Sequence, residues 1–212
     1  MKLKFREPVN GLTHFYSAIA AVFGTIYLVA AGWGNTGKVV SFLIYGISLV
    51  LLFSASATYH LADAGPKAIQ TLRKFDHSAI FILIAGTYTP ICYNLFTGFW
   101  HWGLLAIIWG LAIAVIILKV LYMKTPRWLT AGIYVVMGWL CVLALPEMIA
   151  HIPAGGLIWL LAGGIFYTVG AVIYSTRAFN FYPGKFGFHE IWHIFVMLGA
   201  LAHYVMIAVY II

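Results

Sequence analysis

The sequence predicts an all-α membrane protein, a bundle of seven transmembrane helices, and three observations carry that prediction. Hydrophobic residues make up 64% of the 212 positions. Asp, Glu, Lys and Arg together make up only 8%, against about 25% in soluble domains. The apolar positions are gathered into runs of about 20 residues, the length that crosses a hydrocarbon core of about 30 Å as an α-helix.

The first run, roughly residues 12 to 32, follows the basic start MKLKFREPVNG. It is too long for the apolar core of a signal peptide and lacks a clear small-residue cleavage site, so it reads as the first helix. The second, roughly 39 to 61, ends beside His60. The third, roughly 76 to 95, opens on Asp76 and meets Pro90 near its far end, where a kink costs least. In the fourth, roughly 101 to 122, Ala106, Gly110 and Ala114 form a ladder of small residues that predicts close approach to a neighbouring helix. The fifth and sixth cover roughly 128 to 149, with Pro146 near its end, and 155 to 176. The seventh, roughly 189 to 211, opens with HEIWH. The short connections leave no room for a soluble domain, so residues 1–212 read as one membrane domain. No internal repeat of the transporter kind is visible, which weighs against a carrier.

Basic residues set the orientation. Lys2, Lys4 and Arg6 precede the first helix; Lys67, Arg73 and Lys74 lie between the second and third; Lys119, Lys124 and Arg127 flank the next connection on that side; Arg177 and Lys185 flank the last. Only Lys38 falls on the other side, so the positive-inside rule places the N-terminus in the cytoplasm and the C-terminus outside. The formal charge of +7 is therefore a topology signal and an attraction to anionic headgroups, with no nucleic-acid partner implied. A multi-pass integral membrane location is expected. Trp33, Trp100, Trp102 and Trp128 stand at the ends of runs, as interfacial anchors. Cys92 and Cys141 are isolated in apolar runs, which reads as packing rather than disulfide or metal chemistry.

Topology assigns a depth to each polar group. The second run travels inward and delivers His60 to the cytoplasmic side, where Asp76 begins the third and His189 and His193 begin the seventh. Positions i and i+4 lie on one helix face, so His189 and His193 can share one ion, and Ser56 lies one turn deeper than His60 on its face. His60, His189 and His193 with water in a fourth position would have the three-ligand form of a catalytic Zn2+ centre. His14 reaches a similar depth. Asp76, an ionisable group costly to bury, calls for a partner such as an imidazole or a zinc-bound water. His77, His101 and His151 read as interfacial residues. His203, about 15 Å further along its helix, reads as a helix-packing hydrogen bond. HEIWH also matches the HExxH pattern of zinc proteases, but no further acidic ligand follows it. Glu190 projects about 100° away from His189 around the helix and reads as a flanking residue.

At these residues the chain resembles the bacterial haemolysin III proteins, the prokaryotic branch of the progestin and adipoQ receptor family, related to the adiponectin receptors and the alkaline ceramidases. The resemblance runs through REPVNGLTH, SATYH at Ser56 to His60, KFDHSAIFILIAGTYTP from Lys74 to Pro90, and HEIWH at His189 to His193. It implies zinc held by His60, His189 and His193, with Ser56 and Asp76 beside the metal-bound water as catalytic or proton-relaying groups. The implied activity is zinc-dependent hydrolysis of a lipid amide or ester, with membrane lipids as substrate or ligand. A regulator of membrane homeostasis with structural zinc is the alternative, and a cytolysin, the sense of the family name, a third reading.

Overall fold

A computed structural model describes residues 5–121, 125–182 and 186–212. Of the basic residues that set the orientation, Lys2, Lys4, Lys124 and Lys185 lie outside the described residues. The chain forms α1 (Pro8–Ala31), α2 (Thr36–Leu61), α3 (Pro66–Leu95), α4 (Gly98–Leu121), α5 (Arg127–Trp139), a 3₁₀ segment (Leu140–Ala144), α6 (Leu145–His151), α7 (Ala154–Thr176) and α8 (Phe188–Tyr210). With α5, the 3₁₀ segment and α6 counted as one span, seven helices among the described residues are long and apolar enough to cross a membrane. No strand is present among the described residues, only an isolated bridge between Tyr182 and Phe186.

Local chemistry sets the helix starts. Pro8 and Pro66 stand in the first turns of α1 and α3, where a missing N–H costs nothing. The Asn35 side chain accepts the Lys38 N–H at 3.1 Å and caps α2. Arg177 ends α7 in the left-handed region at φ 56°.

Two elements differ from the hydropathy reading. α3 begins at Pro66, ten residues before Asp76, because an amphipathic stretch carrying Lys67, Arg73 and Lys74 is helical yet too polar to register as apolar. Those cations are helix residues rather than loop residues, and Asp76 sits within α3 rather than at its start. The fifth span is interrupted by the 3₁₀ segment, and Pro146 lies in the first turn of the short helix that follows. The Tyr88 hydroxyl from α3 lies 2.9 Å from both the Met137 and Gly138 carbonyls and accepts the Cys141 N–H at 2.9 Å. These bonds satisfy backbone groups that the interruption leaves open.

α3 is the most buried helix and touches α2, α4, α5 and α8. α1 packs on α2 and α8, and α7 on α8 and α5. Close approach uses glycine at Gly46 and Gly86: a Cβ at the first would collide with Thr25 of α1, at the second with Ser48 of α2. The small ladder of α4 does not serve this purpose. Ala106, Gly110 and Ala114 are exposed, and a Cβ at Gly110 would meet open space. α4 lies at the periphery, so the correct spacing faces away from the bundle.

Candidate functional site

The C-terminal end of α2 and the first turns of α8 meet at the end of the bundle that carries Arg73, Lys74 and Arg127, hereafter the basic end. His60 is fully buried there and His193 is buried. One ring nitrogen each of His60, His189 and His193 lies within 4.8 Å of the others. The ring centroids are 5.0 Å apart for His60 and His189, 4.7 Å for His60 and His193, and 5.0 Å for His189 and His193. Zinc takes three imidazoles in this way and leaves one position open. The residues fit such an ion: His60 Nε2 and His193 Nδ1 are buried without a hydrogen-bond partner among the described residues. A buried imidazole nitrogen left unpaired is costly unless something binds it.

Glu7, at the N-cap of α1, is a site residue that sequence reasoning did not single out. Its Oε2 lies 2.5 Å from His60 Nδ1. That contact makes Nδ1 the donor and leaves Nε2 as the lone-pair nitrogen, the arrangement by which carboxylates orient metal-binding histidines. The bond to His60 is the main cause that holds the Glu7 carboxyl at about 2, below its ordinary 4.5, against the opposing effect of burial. The Glu7 N–H donates to the His60 carbonyl at 3.0 Å, and Arg6 donates to the Tyr59 carbonyl at 2.6 Å while lying over the Tyr59 ring. The chain before α1 is thus strapped to the end of α2.

Glu190 does more than flank the site. Its Oε2 accepts the Gly187 N–H at 2.7 Å, closing the first turn of α8. Its Oε1 accepts from Asn10 Nδ2 at 2.9 Å. The carboxylate fixes α8 against α1 and so positions His189 and His193. It is occupied in a way that does not suit the general base of a protease.

His14, one turn beyond Asn10 on α1, stacks on His193 with centroids 4.0 Å apart and the planes inclined by 29°. It is buried, and neither ring nitrogen has a hydrogen-bond partner among the described residues. Glu7, Asn10 and His14 recur at helical spacing in an otherwise apolar stretch; that polar stripe was the legible signal for this face of the site.

Asp76 and Ser56 are buried opposite the histidines, and the Ser56 hydroxyl is a hydrogen-bonding neighbour of the Asp76 carboxyl. Both line a cavity of about 50 Å³ with His14, His189 and His193, room for a few waters. Its inner wall of Leu52, Ile80, Tyr134, Trp192 and Val196 is shared with a second cavity of about 90 Å³. The second shares Thr87, Tyr88, Trp139 and His203 with a third, of about 340 Å³, lined mainly by apolar side chains.

Three of the four remaining histidines lie elsewhere. His203 Nε2 meets the Leu160 carbonyl at 3.2 Å. His151 is exposed beside Glu147, and His101 is half-buried against the Phe96 carbonyl. His77 departs from the interfacial reading: it is half-buried and lines the cavity that Asp76 lines.

A family profile described as "Haemolysin-III related" matches residues 3–204. The chain belongs to the haemolysin III family. It is 37% identical to "Hemolysin-3" of Bacillus cereus over 210 residues, covering 97% of this chain and 92% of that one. It is 34% identical to the "Hemolysin-3 homolog" of Bacillus subtilis (strain 168) over 206 residues, covering 96% and 93%. More distant is the "ADIPOR-like receptor IZH2" of Saccharomyces cerevisiae, 27% identical over 223 residues and covering 93% and 69%. Such relatives connect this haemolysin III protein to the progestin and adipoQ receptor family. With seven membrane-length helices, it is a multi-pass integral membrane protein.

Proposed function

We propose that this haemolysin III protein is a zinc-dependent hydrolase of a lipid amide or ester, with its centre near the cytoplasmic face of a bacterial inner membrane and a role in membrane lipid homeostasis. His60, His189 and His193 hold the zinc. The observation that carries the reading is the pairing of three mutually close imidazoles with a buried carboxyl and hydroxyl, at the polar end of a series of apolar cavities. A metal staple alone would need the histidines but not Asp76, whose burial beside them is costly unless it is used.

When bound, zinc supplies a Lewis acid and a water of lowered pKa. With zinc held by the three histidines, the Asp76 carboxylate would be placed to take up a proton from the attacking water and return it to the leaving group. Ser56 holds the Asp76 carboxyl through its hydroxyl and offers a donor toward the developing oxyanion. Leu52, Ile80, Trp192 and Val196 exclude bulk water, and the deeper cavities take the acyl chain.

The test is zinc content and hydrolysis of acyl amides and esters by purified protein, beside Ser56→Ala, Asp76→Asn and His60→Ala. Ser56→Ala and Asp76→Asn are expected to keep zinc and lose turnover, while His60→Ala loses both. Stoichiometric zinc without turnover on any ceramide, phospholipid or acyl amide would instead support a membrane regulator with structural zinc.

A further inference from the structure

The cavity beside Asp76 carries a charge imbalance that hydrolysis of a neutral lipid does not use. Arg73, Lys74, Lys119 and Arg127 all line it, and Asp76 is its one carboxyl. The sequence has five acidic residues, all of them described. Glu7 is bound to His60, Glu190 to Asn10 and Gly187, and Glu147 to Thr97 at the opposite end of the bundle. Asp63 is exposed in the connection between α2 and α3. The ion pairs among the described residues are Arg6 with Glu7, His60 with Glu7 and His151 with Glu147, so none of the four cavity cations is in ion-pair contact with a carboxylate. Asp76, whose nearest of the four in electrostatic effect is Arg73, is one negative charge against four positive ones.

The positive-inside rule accounts for exposed lysines that reach into headgroups. It does not account for Lys119, which is only 8% exposed. Its Nζ donates to Thr130 Oγ1 at 2.6 Å and Thr125 Oγ1 at 3.0 Å. Two neutral acceptors fix the ammonium without neutralising it and leave one of its three donors over, on a residue that lines the cavity. A buried ammonium without a counter-charge is costly, and an anion in the cavity offsets that cost. The neighbours are likewise held by neutral groups: Lys74 donates to the Val120 carbonyl at 3.0 Å, and the Arg127 guanidinium lies 5.6 Å from the Tyr174 ring centroid and 5.7 Å from that of Phe188.

We propose that Lys119, Arg73, Lys74 and Arg127 form a binding site for a phosphate-class oxyanion at the mouth of the cavity series. Arg73 and Arg127 are exposed at the rim and Lys119 is buried behind them; two guanidinium groups and two ammonium groups suit a ligand with several charged oxygens better than a single carboxylate. The shared walls of the three cavities place the acyl chains of a phosphate-bearing lipid inward from that anchor. Placing this anion on the substrate rests on the hydrolase reading; the binding itself does not.

The test uses full-length protein in a neutral detergent, with a dialkylglycerol phosphate, the matching dialkylglycerol and inorganic phosphate as probes. Their ether linkages keep binding separate from turnover. The phosphate lipid is expected to bind about tenfold or more tightly than the neutral one. Lys119→Met and Arg127→Gln remove most of that preference, and Thr130→Val weakens it if Lys119→Met does not fold. Lys67→Gln, which deletes an exposed cation of the same end that does not line the cavity, retains it. Inorganic phosphate that binds as tightly as the lipid keeps the site and assigns its ligand to solution; weak inorganic phosphate assigns it to a headgroup. Equal binding of the two lipids, or a preference that survives both Lys119→Met and Arg127→Gln, overturns the proposal. Loss of the preference with zinc-dependent turnover intact leaves the hydrolase reading standing, and tight anion binding without turnover does the reverse.

Discussion

Replacing Glu7 by Ala removes the acceptor of the His60 Nδ1–H bond, which is 2.5 Å long, without touching any of the three histidines. Partners that orient metal-bound imidazoles are worth about 10- to 100-fold in metal affinity, or about 1.4–2.7 kcal/mol. Two features of the structure act on that range in opposite directions. The Glu7 side chain is 39% exposed, so solvent screens its charge and can partly replace it. His60 is fully buried, so its freed Nδ1–H has little water of its own to turn to. The expected loss for Glu7→Ala is therefore about tenfold, the lower end of the range, and for Glu7→Gln, which keeps a neutral acceptor, about threefold. The assay is competition for zinc against a chromophoric chelator at neutral pH with purified protein. Glu147→Ala, at the far end of the bundle, serves as the unaffected control. Wild-type affinity in Glu7→Ala would refute the role of the carboxylate in setting the His60 tautomer.

The depressed Glu7 carboxyl also gives a pH dependence with a definite sign. Its contribution to stability is fully present above about pH 4.5 and is lost as the pH falls toward about 2. In zinc-free protein the melting-temperature gap between wild type and Glu7→Gln should therefore close across that window, and a gap that stays constant would count against it. Gly163→Ala drives a Cβ into the His203 imidazole and should cost about 1–3 kcal/mol in thermal or denaturant unfolding. Gly110→Ala, into open space on α4, should instead be neutral or stabilising by up to about 1 kcal/mol.

Much of the site was legible because hydropathy fixes which end of each helix every residue occupies. That logic brought His60, Ser56 and Asp76 to the level of His189 and His193 from sequence separations that no local motif spans. What it missed has two physical causes. Window hydropathy averages over faces, so the amphipathic first turns of α3, with Lys67, Arg73 and Lys74, looked like a loop although Pro66 marks the helix start. Periodicity also names a face without saying what that face meets. Ala106, Gly110 and Ala114 have the spacing for close packing but turn outward. Glu190, which the geometry of its own helix placed off the site, is aimed by a partner on α1. Glu7 was hidden for a related reason: it precedes its helix, and its partner is on another one.

The strap that ties the start of α1 to the end of α2, together with the contact of Asn10 with Glu190 on α8, has a consequence for biogenesis. A chain emerging into the membrane has Glu7 and His60 in place once its first two helices have inserted. It acquires His189 and His193 only with α8, so the three imidazoles come together across a long loop of chain. A product truncated before α8 carries one of the three imidazoles and leaves Asn10 and His14 without their neighbours Glu190 and His193. On the zinc reading proposed above, metal loading would report that α8 has joined α1 and α2.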